Sequence, residues 1–74
     1  MDVDTARRAR TDAYVAFTRA AGDAMEAGRK HGQGSPEHVA AQAKVTPLRE
    51  AFSVAADAYR AAEAEAMIAK ENHR

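Results

Sequence analysis

An apolar stripe with three-four spacing runs through the second half of the chain without a slip. It comprises Ala41, Val45, Leu48, Phe52, Ala55, Tyr59, Ala62, Ala66 and Ala69. That spacing draws one seam down one side of an α-helix, and such a seam implies a second helix packed along it. The stripe therefore constrains shape and association far more than chemistry.

The first half of the chain offers a matching partner. From about residue 5 to residue 27, Ala6, Ala9, Ala13, Ala16, Phe17, Ala20, Ala21 and Ala24 share one half of a helical wheel with Val3, Tyr14 and Met25. Arg8, Asp12, Arg19, Asp23 and Glu26 occupy the other half, with Arg8/Asp12 and Arg19/Asp23 four residues apart. Asp4 or Thr5 serves as the expected N-cap. A loop follows at residues 28–35, with Gly28 as the expected left-handed C-cap after the last apolar position. Ser35-Pro36-Glu37 then restarts a helix, with a serine cap, a proline at the first helical position and an acid in the first turn.

The second helix is expected from about residue 36 to residue 71, interrupted in one of two ways at Pro47. A proline inside a helix removes one backbone bond and kinks or ends it. Continuity of the stripe from Val45 to Leu48 favours a kinked single helix, whereas Thr46-Pro47 read as a cap and first position gives a break and a third helix. The expected fold is thus all-α. It is an antiparallel helical hairpin, completed as a four-helix-bundle dimer, with a three-helix bundle as the alternative.

Folding at Gly32 places Phe17 opposite Leu48, Tyr14 opposite Phe52, Met25 near Val39 and Ala41, and Val3 and Ala6 near Tyr59. Residues from Ala61 to about Lys70 then extend past the first helix. They still carry Ala62, Met67, Ile68 and Ala69, and Val54, Ala61 and Ile68 form a thinner sevenfold seam on another side. A 74-residue chain makes one domain, 1–74, of a size at which a lone core is marginal without association. Phe17, Leu48, Phe52 and Tyr59 are the expected central layers. Ala62, Met67, Ile68 and Ala69 are the expected contact with a second copy or another helical protein.

Composition narrows the chemistry. No cysteine is present, which removes disulfides and thiolate metal sites and fits a reducing, cytoplasmic setting. The acidic start Met1-Asp2-Val3-Asp4 has no apolar region of a secretory signal, and no apolar run approaches the ~18 residues of a membrane span. Eleven basic and eleven acidic residues balance and alternate, which argues against general attraction to nucleic acid or anionic membrane. The twenty alanines favour helix and close approach, and a high-GC codon bias produces part of that excess.

Candidate sites are few. Arg7, Arg8 and Arg10 form the one basic cluster, a possible nucleic-acid contact with Tyr14 stacking beside it. Asp2, Asp4 and Asp12 bracket it, and Arg7 and Arg10 project toward the apolar side, where their stems would cover Tyr59 in a cation–π contact. His31, His38 and His73 fit no ligand spacing. His38 continues the seam one turn before Ala41, yet its place near a helix start points to a surface residue. Ser35 and Ser53 lack an activating partner, and Glu63 and Glu65 lie on different faces. The glycines Gly28, Gly32 and Gly34 do not make a phosphate loop. No catalytic residue, metal or cofactor is expected, and the chain reads as a non-enzymatic interaction or oligomerisation module.

The segment Arg7-Arg8-Ala9-Arg10-Thr11-Asp12-Ala13-Tyr14-Val15-Ala16-Phe17 resembles the opening helix of short helical proteins of high-GC actinobacteria and their phages, a resemblance that implies no activity. The alanine-layered hairpin is similar in architecture to ROP-type dimers. Secreted helical hairpins with Trp-x-Gly in the turn are a further comparison, but the turn here reads His31-Gly32-Gln33-Gly34.

Overall fold

A computed structural model, described for residues 1–72, contains two helices, α1 (Val3–His31) and α2 (Pro36–Asn72), joined by the turn at residues 32–35. They pack against each other as a hairpin 60 Å long and 13 × 12 Å across. The seam predicted from the three-four spacing is the line of packing. Ala41, Val45, Leu48, Phe52, Ala55 and Tyr59 are half-buried, and Ala62 is buried.

Both ends of α1 lie outside the expected positions. The N-cap is Asp2 and not Asp4 or Thr5. Its carboxylate accepts from the Thr5 backbone N–H (3.3 Å) and from the Thr5 hydroxyl (3.1 Å), so the helix begins two residues early. At the other end Gly28 is helical and buried, and α1 continues through Arg29, Lys30 and His31 to Gly32. Gly32 takes the positive φ of +94° and its N–H donates to the Gly28 carbonyl (3.0 Å). Apolar periodicity stops at Ala27, but three basic residues suit the negative end of the helix dipole and extend it by a turn.

The second helix starts as read from Ser35-Pro36-Glu37, with the His38 N–H donating to Ser35 Oγ (3.2 Å). It then passes through Pro47 as one helix of 37 residues. Pro47 cannot donate to the carbonyl of Ala43, and both residues are exposed, so water can reach the orphaned oxygen. The loss therefore falls where it costs least.

The core itself is thin. Among apolar residues only Ala6, Ala24 and Ala62 are buried, and no large side chain is fully enclosed. Two helices with alanine at the contact approach closely, but each offers the other a single face. The bulky residues of the seam consequently keep an open flank.

Candidate interaction surface

The aromatic layer occupies the middle of the hairpin. Phe52 on α2 lies between two rings of α1, 5.4 Å from Tyr14 at a tilt of 57° and 6.1 Å from Phe17 in a near-parallel stack. Tyr14 thus meets Phe52 as the register predicted, and Phe17 shares the same ring. The layer is not sealed, because Tyr14 remains 52% exposed. Beside it, Arg10, Thr11, Tyr14 and Phe52 line an open groove of about 320 Å³.

A larger groove, about 400 Å³, opens between the helices toward the turn. Its walls are Ala21, Ala24 and Met25 of α1 and His38, Gln42, Val45, Thr46 and Arg49 of α2, with Gln33 at the turn. The lining contains one permanent cation, several neutral donors and no carboxylate. Met25, 75% exposed, stands at its edge, and Val39 is exposed as well.

His38 closes the turn end. The expectation of a surface histidine is overturned: the residue is only 9% exposed. The Gly34 N–H donates to Nδ1 (2.9 Å), so the neutral ring carries its proton on Nε2. The opposite edge of the ring lies against Gly28, where an added Cβ would stand 3.2 Å from Nε2 and Cδ2. A side chain at residue 28 would thus have to displace the His38 ring, and Gly28 packs against that ring within the helix instead of taking the capping role read from the sequence. The signal was present, since His38, Ala41, Val45 and Leu48 keep the seam's three-four spacing.

The arginine cluster is drawn into the fold. Arg10 sits over the Tyr59 ring with Cζ 4.4 Å from its centroid, and Arg7 lies 5.9 Å from the same ring. Arg7 Nη1 also donates to Asp4 Oδ1 (3.1 Å). The tyrosine hydroxyl, followed by Asp4, raises the Arg7 pKa, with a smaller contribution from Glu63. Arg7 and Arg8 are both exposed and Arg10 is half-buried, and only Arg7 and Arg10 lie over Tyr59. At the same end, hydrogen bonds from the Thr5 hydroxyl and backbone lower the Asp2 pKa below its ordinary 3.8.

Beyond Ala62 the seam loses its partner. Every residue from 63 to 72 is exposed, including Ala66, Met67 at 65%, Ile68 at 58% and Ala69. Ala62 stands apart from the other expected contact residues because it is already buried within the hairpin. His31 is exposed, and His73 lies outside the described residues. Among the described residues no group of three or more His, Cys, Asp or Glu is placed to hold a metal ion, and no helix is long and apolar enough to cross a membrane.

Comparison with known proteins adds no likeness: no family, no curated protein and no solved structure matches the chain.

Proposed function

We propose that the chain is a non-enzymatic interaction and oligomerisation module, a hairpin that completes its core against further helices, in the first instance those of a second copy. The surface it leaves uncovered supports this reading. A compact folded chain of 7.9 kDa exposes about 4400 Å² by the usual scaling of surface with mass. The hairpin exposes 5641 Å², an excess of about 1200 Å² over that scaling. A specific interface buries about 800 Å² on each partner. The surplus exceeds what one interface removes, and Tyr14, Met25, Met67 and Ile68 are among the exposed large apolar residues. A four-helix dimer is the simplest assembly that covers it.

A regulator or inhibitor that clasps a helix of a host protein belongs to the same class and uses the same open flank. The nucleic-acid reading has weaker support, because Arg7 and Arg10 are engaged by Tyr59 and Asp4. Light scattering on a sizing column tests the proposal. The native chain should elute at twice its mass, and Leu48→Asp should elute at monomer mass with reduced helicity. A Leu48→Asp variant that kept native mass and helicity would overturn it.

A further inference from the structure

Two features of the hairpin have no use within it: the groove near the turn and the bare end of α2. One line of residues connects them. Gln42, Arg49, Ala56, Glu63 and Lys70 follow one another at sevenfold spacing along α2, so they share one side of the helix with only slow drift. Gln42 and Arg49 line the groove, Ala56 is half-buried two turns further along α2, and Glu63 and Lys70 stand on the bare end. The line is self-complementary when reversed about Ala56. Reversal sets Arg49 opposite Glu63, Gln42 opposite Lys70, and Val45 opposite Met67.

We propose that a second copy of the chain docks antiparallel along this line, on a twofold axis at Ala56, so that the end of each α2 fills the groove of the other. The proposal rests on self-association as read above and specifies its face and register. Charge selects the occupant. The groove presents Arg49 and no carboxylate, while the incoming segment brings Glu63 level with Arg49. Neither Arg49 nor Glu63 makes an ion pair within 4 Å among the described residues, and Glu63 has only a minor longer-range attraction to Arg7. The Lys70 ammonium can donate to the Gln42 side-chain carbonyl of the other copy. Met67 enters between Val45 and Met25, the apolar stretch of the groove. Ala56 at the axis leaves the two α2 helices free to approach closely.

Area agrees with this choice. Each copy buries its exposed end and its groove at once, and the contact is isologous and closed, so it stops at two. The roughly 1200 Å² of surplus surface per chain exceeds the ~800 Å² a standard interface needs from one partner.

The absence of cysteine makes the test clean. Ala56→Cys should form a disulfide-linked dimer under mild oxidation, whereas Val54→Cys, on the outer side of α2, should not. Arg49→Glu and Glu63→Arg should each weaken the dimer about tenfold or more, and the double variant should restore it to within a few-fold of native. Both residues are exposed, so circular dichroism should report native helicity in all three. Cross-linking through Val54→Cys but not Ala56→Cys, or a native-strength dimer in both single charge variants, overturns the register while leaving self-association standing. A native chain that stays monomeric overturns both.

Discussion

The two ends of α2 are built on opposite principles. At the turn, His38 is enclosed with its backbone N–H capped by Ser35, its Nδ1 bonded to Gly34 and the opposite edge of its ring against Gly28. At the far end, residues 63 to 72 continue the same helix with apolar side chains in the open. A polar residue is inside where the fold is closed, and methionine and isoleucine are outside where it is not. The contrast separates what packs within the hairpin from what the hairpin leaves uncovered.

The largest effect should come from the layer between these ends. Phe52→Ala removes the ring that Tyr14 and Phe17 share. Full removal of a buried phenylalanine costs ~3–5 kcal/mol; this ring is half-buried, so a loss on the order of 2–3 kcal/mol is expected in denaturant melts. A loss below ~0.5 kcal/mol would mean the layer does not hold the helices together.

The closed end should be next. Gly28→Val drives a branched side chain into the His38 ring and should cost about 1–3 kcal/mol. Gly22, six residues earlier on the same helix, has nothing within 4 Å of an added Cβ. Gly22→Ala should therefore stabilise by about 0.5–1 kcal/mol through helix propensity alone. Equal responses at the two glycines would remove the assigned role of Gly28. The His38 bond has its own signature, since nitrogen chemical shifts should report the Nε2-protonated tautomer in the folded chain.

The open end should respond in the opposite sense. Met67→Asp should leave the helicity of the isolated hairpin within a few per cent of native, because Met67 is 65% exposed and lies beyond the paired seam. The same change should lower the assembled fraction at micromolar concentration. The smallest effect belongs to Asp2. Its folded pKa is lowered, so its contribution is present above 3.8 and is lost as pH falls through the folded value. Acid should fray the first turn of α1, visible as faster amide exchange at Thr5, and Asp2→Asn should remove most of that pH dependence.

Much of this was legible in the sequence because seams and caps are local signals. The stripe from Ala41 to Ala62, the Ser35-Pro36 start, the overhang past α1 and the arginines on Tyr59 follow from spacing alone. The end of α1 was not legible in the same way. Arg29, Lys30 and His31 carry no apolar period, and choosing among Gly28, Gly32 and Gly34 requires knowing which one must take a positive φ and which must admit a neighbour. His38 kept the seam's spacing, but its burial depends on Gly28 across the turn, a pairing that helical periodicity does not encode. The continuity through Pro47 was favoured by the unbroken stripe from Val45 to Leu48, and the exposure of Ala43 adds the reason it is tolerated.

Melting temperature measured against protein concentration tests the central claim, that a single hairpin holds an unfinished core. Thermal melts by circular dichroism over a hundredfold range should show a midpoint that rises steadily with concentration, as coupled folding and association require. A cooperative midpoint that stays fixed across that range would contradict the claim and show that association adds nothing to the stability of the hairpin.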